Sequence, residues 1–223
     1  MRIAVVGGHG KIARHLHPLL VAAGHQPVAL VRREEQRAAL ERAGAEVRLL
    51  DIEQADAAAF AAAFEGCEAV VFSAGGGPDG NVERKQTVDL EGSLKSIDAA
   101  QQTGIRRFVQ VSAIDVDQPV AHDAGFVWAA YVAAKRDADI ALRQSGLDWT
   151  ILRPGRLTDD PATGAVALGA EVERGDVTRA DVAAVLAAVL DRPDTAGHQW
   201  NLVGGDLPVA DAIDRAMAAT AQG

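Results

Sequence analysis

Short apolar runs rich in β-branched residues alternate along this chain with longer amphipathic stretches. "RIAVVG" (2–7), "QPVALV" (26–31), "AEVRLL" (45–50), "EAVVFSA" (68–74), "RFVQVSA" (107–113) and "DWTILRP" (148–154) are bounded by glycine or polar turns and read as buried strands. Helical stretches lie between them at 11–23, 34–43, 54–65, 83–103 and 125–145. Gly24, Gly44, Gly66, Gly104 and Gly146 each follow one such stretch, where a helix ends on a residue that tolerates left-handed φ. The Ala-rich run 55–63 reads as a helix because Phe60 and Phe64 stand one turn apart on a face that can pack.

Repeated strand–helix–strand units predict a Rossmann-like, doubly wound parallel sheet in a three-layer α/β/α sandwich, with right-handed crossovers. Residues 1–223 read as a single domain, with 1–153 as a cofactor-binding core and 154–223 as a smaller substrate-proximal part. After Pro154 the rhythm loosens. A Gly/Asp/Pro loop, a short apolar segment near 165–172, a helix at about 179–191, a strand near 198–203 and a final helix from about 208 are expected.

Composition narrows the function. The 48% hydrophobic and 24% charged content is that of a soluble globular protein. The lone Cys67 can form neither an internal disulfide nor a zinc cluster, which suits a reducing cytoplasm. No signal peptide and no membrane-spanning run is read. The formal net charge of -9 argues against a nucleic-acid surface and leaves small-molecule chemistry. The six histidines (His9, His15, His17, His25, His122, His198) show no metal-ligating pattern. His15 and His17, two apart, cannot share a helix face and read as structural or surface residues.

"VVGGHGKIARHL" follows the first strand and opens the first helix. Gly7, Gly10 and Ala13 form G-x-x-G-x-x-A, a variant of the dinucleotide fingerprint. The helix start at Lys11 and Ile12 would present free N–H groups to a pyrophosphate. Arg32 and Arg33 occupy the end of the second strand, where an acid selects NAD and an arginine NADP. They favour NADP (NADPH) over NAD, unless Glu34 and Glu35 simply neutralise them. Asp51 and Ile52 would fall beside the adenine, and Ser73, Ala74 and Gly75 would let the backbone pass close to the ribose.

Ser112 ends the fifth strand, at the carboxyl edge where such sheets bind ligands. Tyr131, the only tyrosine, lies on the next helix with Lys135 one turn later on the same face. A nearby ammonium stabilises a phenolate and would bring the phenol toward neutral pH for proton transfer. The plainer alternative keeps Tyr131 as a packing aromatic and Ser112 as a locally bonded strand end. Arg179 and Asp181 read as a cap and an ion pair, Trp128 and Trp149 as packing, with the tip near Trp128 able to meet substrate.

With "GGHGKIA", "VRR", "DIE", "VDLEGSLKSIDAA", "FVQVSA", "YVAAK" and "SGLDWTILRPGRLTDDPATG", the chain resembles the atypical branch of the short-chain dehydrogenase/reductase superfamily over almost its whole length. The resemblance implies an NADP-dependent oxidoreductase acting on a small carbonyl, quinone or similar acceptor. Tyr131 would be its acid/base, Lys135 would tune the phenol and hold the ribose, and Ser112 would orient the substrate oxygen. Pro154 and Gly155 would turn the chain over the nicotinamide. "SAGGG" and Asp89 stand where better-studied members have Asn-Ala-Gly and a relay asparagine, so that relay is not implied. The branch also contains NmrA-like NADP(H) sensors without turnover, flavin or biliverdin reductases that need no tyrosine, and epimerases. A small-molecule substrate, no nucleic-acid or membrane partner, and a monomer or homodimer complete the expectation.

Overall fold

The β-branched runs form strands β1 (Arg2–Val6), β2 (Gln26–Val31), β3 (Glu46–Leu49), β4 (Ala69–Phe72), β5 (Arg107–Val111) and β6 (Asp148–Pro154). The computed structural model describes residues 1–77, 80–121 and 123–220; His122 lies outside them. The C-terminal part adds β7 (Arg156–Thr158), β8 (Ala165–Gly169), β9 (Asp176–Thr178), β10 (His198–Gly204) and β11 (Leu207–Pro208). Helices are α1 (Lys11–Ala22), α2 (Arg37–Arg42), α3 (Ala57–Ala63), α4 (Glu91–Thr103), α5 (Phe126–Gln144), α6 (Arg179–Leu190) and α7 (Val209–Thr220).

Nine strands form one sheet in the order β11-β8-β10-β6-β5-β4-β1-β2-β3. From β3 to β10 every pairing is parallel, as continuous apolar strands buried on both faces require. Strand order reverses between β1 and β4, which opens the crevice for a ligand at the carboxyl ends. Helices α1, α6 and α7 cover one face, burying Leu16, Leu20, Leu186 and Trp200 between layers. Helices α3, α4 and α5 cover the other, where Phe60 and Phe64 meet edge to face at 6.3 Å, a contact of about 0.5–1.5 kcal/mol beyond burial.

Three features depart from the sequence reading. The 165–172 segment is β8, antiparallel to β10 and β11. With the two-residue β11 outside it, β8 puts an antiparallel margin on the parallel sheet, and its alternating pattern fits a strand with one face covered. The 34–43 stretch splits into a 3₁₀ turn, Glu34–Gln36, and the short α2. The 83–103 stretch is not uniformly α-helical: Lys85–Leu90 is a π-helical turn leading into α4. Such widened turns concentrate at functional sites. This one places Lys85 and Asp89, both buried, on the cleft. No helix among the described residues is long and apolar enough to cross a membrane.

Candidate active site

A cleft of about 1610 Å³ runs along the carboxyl ends of the strands. The turn after β1 forms its floor. Gly7 has φ +80°, and a Cβ there would stand 2.8 Å from the Ala74 Cα, so only glycine lets this turn pass β4. A Cβ on Gly10 would stand 3.0 Å from the Gly7 carbonyl oxygen. Gly10 caps α1 without any side-chain acceptor, and no acid occupies the first turn, so the helix's positive end meets the cleft uncompensated. The buried His17 bonds through Nε2 to the Gly8 carbonyl at 2.7 Å, tying α1 to the turn it follows. Burial holds this imidazole below its ordinary value, with the carbonyl opposing. The cradle fits a pyrophosphate.

Most of the residues expected to hold a cofactor line this one cleft: Gly7, Gly10, Lys11, Ile12, Arg32, Asp51, Ile52, Ser73, Ala74, Gly75, Pro154 and Gly155. Arg33 is not among the lining residues; it stands at the start of the 3₁₀ turn, its amide donating to Gln36. Arg32 reaches the cleft with Glu53 3.9 Å away, a carboxylate that Arg84 also approaches at 3.5 Å. Lys11 pairs with Asp159, which also accepts from Arg179 at 2.6 Å and so bridges the first helix to the loop after β7. Asp181 is buried beside its Thr178 cap and accepts from Thr163 and Gly164. A Cβ on Gly155 would collide with the Gly175 carbonyl at 2.1 Å, which fixes the β7–β9 crossing over the cleft.

Ser112, Tyr131 and Lys135 line the same cleft. Lys135 is 4% exposed, 3.1 Å from Asp89, and donates to the Val111 carbonyl at 3.2 Å and the Ala74 carbonyl at 3.4 Å. Burial disfavours its charge, but Asp89 and then Tyr131 outweigh burial and hold the ammonium above its ordinary value. Tyr131 responds differently from the simple expectation. Burial raises the phenol, Asp89 and Asp139 add to the rise, and Lys135 opposes it without prevailing. The acidifying lysine is itself neutralised by a carboxylate where the resemblance led one to look for an amide. Asp89 also accepts from the Gly76 amide at 2.8 Å.

Ser112 is not a free hydroxyl. Its Oγ donates to Asp139 at 2.8 Å. Asp139, fully buried, also accepts from Gln110 at 2.8 Å and from Arg153 Nε at 2.9 Å, while Arg153 Nη1 donates to Asp117 at 2.6 Å. Asp139 extends the face that carries Tyr131 and Lys135 by one more turn of α5. Sequence reading missed Lys85, Asp139 and the Phe126 part of the rim, while the tip near Trp128, expected to be able to meet substrate, does line the cleft. Asp139 was legible as the third member of a four-residue spacing; the other signals were not, because they depend on the π turn and on the loop before α5.

An α/β sheet with a glycine cradle at its switch point and a helix N-terminus aimed into the cleft defines a dinucleotide-binding Rossmann protein. The chain belongs to the NAD(P)H-binding family, whose model matches residues 7–193. It is 38% identical over 216 residues to the uncharacterized sugar epimerase YhfK of Bacillus subtilis, covering 96% of this chain and 100% of the relative. A solved structure from Bacillus halodurans, inferred to be an NAD-dependent epimerase/dehydratase, superposes with a TM-score of 0.87 at 38% identity, covering 96% of this chain and 99% of that one. The anaerobillin reductase ChuY of Escherichia coli O157:H7 superposes at 0.76 with 28% identity, covering 93% and 98%. The family spans oxidoreductases and epimerases, and an atypical short-chain dehydrogenase/reductase-like protein is what the residues implied.

Proposed function

We propose that this protein is an NADPH-dependent reductase of a small carbonyl, quinone or similar acceptor, with Tyr131 delivering the proton. The observation that carries the reading is that Tyr131, Lys135 and the Gly7–Gly10 cradle all face one cleft. The cofactor supplies the hydride. Gly7, Gly10 and the first turn of α1 hold its phosphates, Arg32 its 2′-phosphate, and Lys135 its ribose by exchanging its longest bond, to the Ala74 carbonyl at 3.4 Å. Tyr131 gives its proton to the oxygen that becomes the alcohol. Phe126, 90% exposed, and Trp128, 45% exposed, offer the acceptor an apolar rim.

Ser112 takes a narrower role than the sequence implied. While its hydroxyl proton is committed to Asp139, its oxygen faces other groups as an acceptor, so it orients a hydroxyl rather than polarising a carbonyl. That commitment, with the likeness to ChuY, favours a second reading in which a planar acceptor takes hydride without tyrosine. NADPH oxidation against a carbonyl and quinone panel separates the two. Tyr131→Phe is expected to lower kcat by roughly 10²–10⁴-fold with NADPH affinity unchanged, the usual weight of a general acid. Undiminished turnover by that variant would select the second reading.

A further inference from the structure

Lys85 is 5% exposed and lines the cleft, yet it has no carboxylate partner among the described residues. Its ammonium donates to the Gly77 carbonyl and stands 5.9 Å from the centre of the Tyr131 ring. The other lysines of the cleft are neutralised, Lys135 by Asp89 at 3.1 Å and Lys11 by Asp159. Asp89, one turn further along, is paired with Lys135 and accepts from the Gly76 amide, and Glu83, two residues earlier, is exposed. A buried ammonium without a counter-ion is costly, and one carbonyl plus a ring face compensates only in part. Among the described residues, one of its three N–H donors has a protein acceptor. The setting agrees: eight lysine and arginine side chains against four acidic ones line this cleft, on a chain whose net charge is -9.

We propose that Lys85 is the substrate-anion residue of the cleft and binds a carboxylate carried one or two carbons from the carbonyl that is reduced. The spacing sets this class. Lys85 and Lys135 stand 5.9 and 6.0 Å from the centre of the Tyr131 ring, so a small molecule seated at that ring can offer one oxygen to the Lys85 ammonium and another to the phenol. A 2-oxo or 3-oxo acid meets both, and its apolar substituent lies toward Phe126 and Trp128. The π-helical turn is what brings Lys85 here, since it turns both Lys85 and Asp89 to the cleft and leaves Asp89 to Lys135.

The carbonyl half of this inference rests on the reductase reading; the anion half does not. Pyruvate and phenylpyruvate, each beside its neutral methyl ester, are titrated calorimetrically into protein saturated with NADP⁺, and NADPH oxidation is followed in parallel. Wild type is expected to bind at least one acid tenfold or more tightly than its ester. Lys85→Met should abolish that preference and Lys85→Arg retain most of it, with NADPH affinity and thermal unfolding unchanged in both. Acid-selective binding without turnover supports Lys85 while failing the reductase reading. Equal binding of acids and esters by wild type, or no binding of either, overturns the assignment whatever the variants do. So does a Lys85→Met variant that weakens acid and ester alike.

Discussion

Asp139 shows how much one buried side chain decides in this site. It receives Ser112, Gln110 and Arg153, and none of these donors is fully compensated without it. Removing the carboxylate leaves the Arg153 guanidinium buried at 5% exposure with Asp117 as its one counter-charge among the described residues. Asp139→Ala is therefore expected to destabilise the fold by roughly 3–5 kcal/mol, the scale for breaking a buried pair from one side. Urea unfolding reads this directly, and a loss below about 1 kcal/mol would mean that the network is dispensable. Tyr131 and Ser112 could be placed from the sequence, because a strand end and a helical four-residue step fix where they point. Their protonation chemistry could not be read there. The balance between Lys135, Asp89, Asp139 and burial depends on distances that no spacing encodes.

At the level of elements, the parallel strands were legible because Val, Ile and Leu run continuously where both sheet faces are covered. The helix ends were legible because Gly24, Gly44, Gly66, Gly104 and Gly146 adopt φ between 72° and 83°. Strand β8 escaped because its half-buried alternation is short and its pairing with β10 and β11 is non-local. The π turn escaped because the apolar pattern of 83–103 reads as ordinary helix until the extra residue per turn is seen. The phosphate cradle, by contrast, is a local device and can be tested as one. Gly10 has φ −60°, which alanine adopts freely, so Gly10→Ala keeps the backbone while placing a methyl 3.0 Å from the Gly7 carbonyl oxygen. NADPH affinity should fall tenfold or more while thermal unfolding shifts little. Unchanged affinity would remove this turn from the binding site.

For the molecule as a whole, pH should act through His17 as well as through chemistry. Its folded value lies below the ordinary 6.5, so the unfolded chain binds the extra proton first. Stability from keeping this imidazole neutral is fully present above about pH 6.5 and is lost as pH falls through the folded value. Unfolding free energy measured from pH 8 to pH 5 should drop on the acid side. The drop should be smaller in His17→Gln, which keeps a donor for the Gly8 carbonyl but does not titrate. An identical acid slope in both proteins would place the sensitivity elsewhere.

The same whole-molecule view holds the central claim, that a chain of net charge -9 gathers a cationic cleft around NADPH. Titrating NADPH and NADH into wild type and Arg32→Ala by nicotinamide fluorescence tests it most directly. NADPH should bind wild type more tightly than NADH, and Arg32→Ala should weaken NADPH alone by about 10–100-fold, the worth of one charged hydrogen bond. Preference for NADH, unchanged by Arg32→Ala, would contradict the account and pass the ribose to an acid such as Glu53.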